Sequence, residues 1–482
     1  MAFQVSPGVL VQERDLTRII PAVSTAIGAI AISANKGPLD EIVSISSEQE
    51  LVDTFGKPDS TNFEYFFSAA NFLQYSNSLR VVRATQTNAV NASTSGTGVL
   101  IKNTDDWTNN YASGGQAGNA TFVAREAGTD GNNLQVSTCP NAAAYEQEGA
   151  TTVNDATTAV GDTVVVATSG AALNVGDIIS FSTTAATNDY DDGEQYRITN
   201  ISTNDITIVQ HPRGTGGLKR ALTDGSNIRR RWKYYDAVDG APGTSTYVSE
   251  RNGANDEIHV VVIDEDGGIS GVPGTILETF SKLSKASDAK DPQGNDNYYP
   301  NVIYTKSEYI YWTKHNSSGT NWGNAASGTT FTAVNTPTLE SMSGGSNGST
   351  VTTGQIKTAY DKFADSETVD IGLIIAGPCD STHIENLITI AEARKDCVVF
   401  ASPERSDVVN VTNSNTQKSN VVSFFSTISS TSYASFDSGY KYMYDRYNDV
   451  YRFVPLNGDM AGLCARTDLI ADSWFSPAGF NR

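Results

Sequence analysis

A chain of 482 residues, at about 150 residues per domain, holds enough sequence for roughly three domains and an ample buried core. Only 18% of the residues are charged, below the roughly 25% usual for soluble domains, and the formal net charge is −21. Such a surface repels a phosphate backbone, and no apolar run approaches the roughly 20 residues of a membrane helix. The best apolar stretch, residues 19–32, is interrupted by Pro21, Ser24, Thr25 and Gly28 and follows Glu13-Arg14-Asp15. That is not the basic start of a signal peptide, so secretion is not expected.

In chain order, Phe3 and Val5 precede a Ser6-Pro7-Gly8 turn, and Val9 and Val11 follow it. Residues two apart share one strand face, so residues 1–20 read as an extended arm with no hairpin partner nearby. A strand of this kind pairs with a distant strand or with the sheet edge of another chain. Residues 22–33 read as a buried strand ended by Lys36-Gly37-Pro38. Polar Ser46-Ser47 and closing Gly56 bracket a short helix, and Phe63, Phe66, Phe67, Ala70 and Leu73 form the stripe of a second. Leu79-Arg80-Val81-Val82-Arg83 is the next strand.

From about residue 87 the texture changes to small polar residues and short strands. Segments 161–166, 175–181, 195–198 and 205–209 are spaced as in a small antiparallel barrel or sandwich. A further β-rich stretch begins at Tyr247, with a strand at 258–263, a turn at 264–268 and a helix near 275–283. Residues 298–312 read as strand-like and aromatic, and 315–330 and 343–354 as linkers. After Gly354 helical patterning returns, and residues 355–363, 369–378, 383–394 and 397–401 alternate helix, strand, helix, strand. The last three form a β-α-β unit, which signals a parallel sheet with a right-handed crossover. The fold class expected is therefore multidomain α+β. A discontinuous α/β platform (21–88 and 350–482) would carry inserted antiparallel β-rich domains of barrel or sandwich type at 89–235 and 236–349, behind an extended N-terminal arm.

No chemical motif rises to an active site. Gly344-Gly345-Ser346-Asn347-Gly348 matches the nucleophile-elbow string, but no buried strand precedes it. The enzyme that it would imply, using Ser346 with His383, is the weakest reading. Asp264-Glu265-Asp266-Gly267 lacks the glycine position of a calcium loop and reads as an acidic hairpin turn. Gly214-Thr215-Gly216-Gly217 opens no nucleotide-binding unit. Arg229-Arg230-Arg231-Trp232-Lys233-Tyr234-Tyr235 is the one dense basic-aromatic run, and it is read as an interdomain strand or a contact for an acidic surface rather than a nucleic-acid site. Cys139, Cys379, Cys397 and Cys464 are dispersed among apolar neighbours and read as free buried thiols; His211, His259, His315 and His383 form no metal cluster. No catalytic residue, metal or cofactor is expected.

The most specific text lies near the C-terminus. Tyr440-Lys441-Tyr442-Met443-Tyr444-Asp445-Arg446-Tyr447-Asn448-Asp449 is followed by Val454-Pro455, Ala461-Gly462, Arg466-Thr467-Asp468 and Ser476-Pro477-Ala478-Gly479. Together with Pro7-Gly8 at the start, and with the glycine-rich segment at 344–348, this resembles the tail sheath proteins of contractile-tailed (myovirus-type) bacteriophages. The resemblance is strongest over residues 1–85 and 355–482.

The resemblance implies a non-enzymatic structural subunit of the virion. It would be assembled in the host cytoplasm and would polymerise helically around an inner tail tube. Contraction would then drive that tube through the host envelope. The implied partners are other sheath subunits, the tail tube protein, and baseplate and tail terminator proteins, with no nucleic acid and no membrane insertion. In this family terminal arms lend strands to neighbouring subunits, which fits Phe3, Val5, Val9 and Val11. Family members continue beyond the signature with a tube-facing C-terminal segment; here the chain ends at Gly479-Phe480-Asn481-Arg482, so that domain is expected to be mostly absent and the chain alone monomeric or weakly associated. The alternative is another virion β-protein, such as a tube, capsid or adhesin component.

Overall fold

The computed structural model describes residues 26–471 and 474–478. They divide into two compact units, one formed by residues up to 34, 41–84 and 352 onward, the other by 35–40 and 85–351.

The first unit is built on a six-stranded sheet. From one edge to the other its strands are Ala434–Phe436, Val398–Ala401, Leu373–Ile375, Gly28–Ile32, Leu79–Arg83 and Ile42–Ile45. All neighbours run parallel except the last pair. The central strand Gly28–Ile32 is buried on both faces, as a parallel strand covered by helices must be. On one face Ile30, Ile32, Val81 and Ile375 pack with Phe66, Phe67 and Ala70 of helix Phe63–Leu73 and with Ala461 and Ala465 of helix Asn457–Ile470.

Local chemistry sets the helix ends. The Ser47 side chain caps helix Glu48–Phe55 by accepting from Glu50 N, while Glu50 reaches back to Ser46 N at 2.8 Å. Gly56, at φ 83°, ends the helix where an L side chain would be strained. The β-α-β unit comprises Leu373–Ile375, helix Ser381–Arg394 capped by Asp380, and Val398–Ala401. A two-stranded antiparallel hairpin, Tyr440–Asp445 with Val450–Pro455, lies outside the main sheet.

The second unit contains three antiparallel sheets. Its six-stranded sheet runs Glu146–Thr152, Ser226–Arg231, Ile178–Ala185, Gln195–Ser202, Asp205–His211 and Val164–Val166, and a bridge between Val153 and Ala167 joins the two outer strands. The result is a small closed barrel around Val165, Ile179, Phe181, Ile198, Ile206 and Ile208. A four-stranded sheet orders Thr275–Ser284, Glu257–Asp264, Leu134–Cys139 and Thr338–Ser341; a three-stranded one orders Ile310–Trp312, Phe122–Ala127 and Asn91–Ser93. Ranges 89–235 and 236–349, expected as separate domains, thus share sheets, because Leu134–Cys139 pairs with both Glu257–Asp264 and Thr338–Ser341.

Two further expectations are corrected. The helix near 275–283 is the strand Thr275–Ser284. Phe280 and Leu283, three residues apart, both face the core because Ile258 pairs with Leu283 and Val260 with Phe280. The extra residue is a bulge, with Lys282 at φ 52°. Conversely, within the aromatic segment 298–312, Pro300 opens the helix Tyr299–Lys306 in the first turn, where a missing N–H costs nothing. The expected linkers are also packed, since Trp322 and Ala326 lie in the core and Ser343 and Ser346 bridge to Ser93 and Val90.

Candidate assembly surface

The C-terminal hairpin and the helix behind it bring most of the described signature residues together. In the hairpin Tyr442 lies opposite Phe453, Tyr444 opposite Tyr451 and Tyr440 opposite Pro455. Alternation puts these six side chains on one face and Lys441, Met443, Asp445, Arg452 and Val454 on the other. The second face is inward: Val454 is buried, and Met443 packs against the platform core. The first holds Tyr442 and Tyr451, each 61% exposed, and Tyr444, 46% exposed, while Tyr440 and Phe453 are half-buried and Pro455 is buried. Its rings are ordered against one another, Tyr442 to Tyr451 at 5.2 Å and Tyr442 to Phe453 at 4.6 Å between centroids.

The turn is fastened by polar residues. The Asp445 carboxylate, fully buried, accepts from Arg452 Nε at 2.7 Å, Asn448 Nδ2 at 2.8 Å and the backbone N–H of Tyr447 at 3.0 Å. Asn448 Nδ2 donates to the Pro58 carbonyl, Tyr447 Oη to Glu48, and Arg446 pairs with Glu48 at 2.7 Å. The Arg452 guanidinium also covers the Phe63 ring at 4.4 Å.

Helix Asn457–Ile470 turns a small-residue stripe, Gly458, Ala461, Gly462 and Ala465, toward helix Phe63–Leu73 and the residues that follow it. A Cβ at Gly458 would stand 2.2 Å from the Ser68 carbonyl oxygen, and one at Gly462 2.5 Å from the Tyr75 ring. Thr467 is buried, its hydroxyl donating to the Leu463 carbonyl; Arg466 is exposed and Asp468 half-buried. Ser476 is exposed and Pro477 half-buried. Phe3, Val5, Pro7, Gly8, Val9, Val11 and Gly479 lie outside the described residues.

Asp437 and Asn457 tie this module to the sheet. Asn457 Nδ2 donates to the Gly377 carbonyl at 2.8 Å and its backbone N–H to Ser402 Oγ, which in turn donates to Asp437 at 2.7 Å. Burial pushes the Asp437 carboxyl up to about 6 despite the hydrogen bonds from Gly439 N and Ser402 Oγ. With a folded pKa above the unfolded one, this group contributes stability below about pH 4 that is lost as pH rises through about 6. Asp437→Asn is therefore expected to flatten that part of the stability–pH curve and to leave the protein at least as stable at pH 7. Urea titrations at pH 4, 5, 6 and 7 check this; a variant that keeps the wild-type slope would count against it.

The chemical motifs dissolve in the fold. Ser346 lies on extended backbone bridged to Val90, and its hydroxyl accepts from Gly348 N at 3.2 Å. It occupies no strand-to-helix turn. His383 is buried within helix Ser381–Arg394, its Nε2 against the Ala376 carbonyl, and burial lowers its pKa to about 4. Asp264 closes the β-hairpin turn by accepting from the backbone N–H of Ile269 and Ser270. The basic run does not await an outside partner: Arg229 pairs with Asp192, Arg231 Nε with Glu146 at 2.7 Å, and buried Arg230 donates to the Ala143 and Asn335 carbonyls. The four thiols are free; Cys139 and Cys397 are buried, Cys379 and Cys464 only half so. The aromatic face itself escaped the sequence reading, although strict alternation of Tyr440, Tyr442 and Tyr444 around a polar turn was signal enough.

Comparison with known proteins places these features in context. Residues 25–84 match the family model described as tail sheath protein Gp18 domain III N-terminal region. The chain is similar to the tail sheath protein of Enterobacteria phage T4, at 29% identity over 99% of this chain and 75% of that protein. It is also similar to those of Vibrio phage KVP40, at 27% over 99% and 76%, and Salmonella phage ViI, at 25% over 100% and 73%. Among solved structures, the sheath tail proteins of Desulfitobacterium hafniense and Listeria innocua align with TM-scores of 0.37 and 0.38 at 8% identity. These alignments cover 95% and 91% of this chain, but 62% and 56% of those chains.

Proposed function

We infer that the chain, which belongs to the tail sheath proteins of contractile-tailed bacteriophages, is the subunit that polymerises around the inner tail tube and contracts to drive it through the host envelope. The observation that carries this reading is the similarity to three curated tail sheath proteins over 99–100% of the chain, through the second unit as well as the platform. Self-association is intrinsic to such a protein. Contacts with the tail tube, baseplate and terminator, and assembly in the host cytoplasm before incorporation into the virion, are part of the same proposal. The role is mechanical, and the candidate nucleophile Ser346 sits in a ladder rather than at a site.

In this reading residues 21–88 and 350–482 act as the platform, and residues 1–20 as an arm donated to a neighbouring subunit. Phe3 and Val5 would share one face of one extended piece, and Val9 and Val11 one face of the next, beyond the Ser6-Pro7-Gly8 turn. Each backbone hydrogen bond of such a strand contributes about 1 kcal/mol net, weak per joint but cumulative around a cylinder. Phage carrying a deletion of residues 1–15 is expected to make folded subunit but tails whose tubes are bare in negative-stain micrographs. Normally sheathed tails would refute the donated arm.

A further inference from the structure

The aromatic face of the C-terminal hairpin continues into a groove of about 520 Å³, whose lining includes Tyr440 and Phe453 together with Val409, Val421, Val422 and Leu456. The wall carrying Val421 and Val422 is helix Ser414–Ser426, which has no buried residue and leaves Val422 60% exposed. Floor and wall make one surface within the first unit, apolar at Val409, Val421, Val422 and Leu456 and polar at Ser414, Gln417, Lys418 and Ser438. Such a surface is not needed to fold the hairpin, whose opposite face already packs on the core through Met443 and Val454. A contiguous exposed patch of this kind marks a contact.

We propose that this surface is covered by a second copy of the chain, an assignment that rests on the self-assembling reading above. Charge decides the occupant. Each copy carries a net charge of −21, so two copies repel wherever their charged surfaces meet. The exposed side chains Tyr442, Tyr444 and Tyr451 and the half-buried Tyr440 and Phe453 carry no charge, which makes this the face on which like-charged copies meet at least electrostatic cost. A partner recruited by charge would instead settle on the acidic surface. Tyrosine-rich composition is also that of an interface core, and the carboxylate at this face, Asp449, accepts from Tyr444 Oη at 2.6 Å.

The area fits one contact of a lattice better than a stand-alone dimer. With exposures of 61%, 46% and 61%, three tyrosines at roughly 150–250 Å² each offer on the order of 300–400 Å². A standard interface takes about 800 Å² per partner. The isolated chain should therefore associate weakly, and gain strength only where the contact repeats.

Photo-oxidative cross-linking of the 482-residue chain with a ruthenium complex and persulfate tests this. The oxidant removes one electron and one proton from each of two touching tyrosines, whose rings join as dityrosine. Covalent dimer is expected, with peptides containing Tyr442, Tyr444 or Tyr451 at the junction. A Tyr442→Ser/Tyr451→Ser variant, with an unchanged melting curve, should lose dimer about tenfold or more and weaken association in sedimentation runs by a similar factor. Should that variant unfold, Tyr442→Phe/Tyr451→Phe keeps the apolar surface; it should sediment as wild type while losing those junctions. Cross-links confined to other tyrosines, or undiminished association of the serine variant, would overturn the surface and leave the sheath reading standing. Strictly monomeric behaviour at millimolar concentration would likewise overturn the surface and leave the sheath reading standing.

Discussion

Gly458→Ala is expected to destabilise the first unit by about 3 kcal/mol, visible as a clear fall in the urea midpoint with little change in slope. Helix Asn457–Ile470 starts two residues behind buried Pro455 and crosses helix Phe63–Leu73 along small residues. A methyl at 458 would lie 2.2 Å from the Ser68 carbonyl oxygen and 3.0 Å from Ser68 Cα. These are backbone atoms of a fully buried residue in mid-helix, whose hydroxyl is itself engaged with the Glu64 carbonyl at 2.7 Å. They cannot turn away as a side chain can, so the helices must separate and expose Phe66, Phe67 and Ala461. The helix propensity gained on replacing glycine by alanine, about 1 kcal/mol, is too small to reverse the sign. Gly462→Ala provides the contrast. There the obstacle is the side chain of half-buried Tyr75, with Cδ2 at 2.5 Å and Cβ at 3.1 Å, which must shift but is not helix backbone, and the cost should be smaller, about 1–2 kcal/mol. Equal effects from the two substitutions would show that the stripe does not set the helix spacing.

That difference also shows what a sequence can and cannot carry. The elements of the first unit were readable because their signals are local. Ser47 and Gly56 punctuate one helix, Phe66 and Phe67 mark the buried face of the next, and Ile384, Leu387 and Ile388 stripe the crossover helix. The second unit was misread wherever the deciding partner is remote. Nothing within Leu134–Cys139 announces that it will lie between strands some 120 and 200 residues away. In Thr275–Ser284 the spacing of Phe280 and Leu283 is helical, and only a bulge against Glu257–Asp264 reconciles it with a strand. The candidate surface falls between these cases. Its signature residues stood out as text, yet the reason for Gly458 and Gly462 lies in atoms of Ser68 and Tyr75, almost 400 residues earlier. Likewise the Arg229–Arg231 run looked like a site only until Glu146 and Asp192 were placed beside it.

Asp445→Ala should have a comparable or larger effect, about 3–5 kcal/mol at pH 7, because it leaves the largely buried Arg452 guanidinium without its counter-charge. Burial by itself would raise the Asp445 pKa; the hydrogen bonds from Arg452, Asn448 and the Tyr447 and Asn448 amides outweigh it and hold the carboxyl below the usual carboxylate range. The unfolded chain therefore binds the proton first on acidification. The stabilisation is complete above about pH 4, the ordinary carboxylate value, and is lost as pH falls through the folded pKa. Asp445→Asn, which keeps the volume but not the charge, should lie between wild type and Asp445→Ala at pH 7, and both variants should lack this share of the acid limb. Urea titrations between pH 2.5 and 7 measure it. An alanine variant within about 1 kcal/mol of wild type, or one with the full acid limb, would mean that the turn is held without the carboxylate. The same substitution bears on assembly. Asn448 fastens the turn to Pro58, and Arg446 and Tyr447 fasten it to Glu48, so freeing Asp445 releases the whole aromatic face from its platform. Cross-linking through Tyr442 and Tyr451 should then fall even where the remaining core stays folded, since a contact of a few hundred Å² cannot also supply the ordering of the hairpin that makes it.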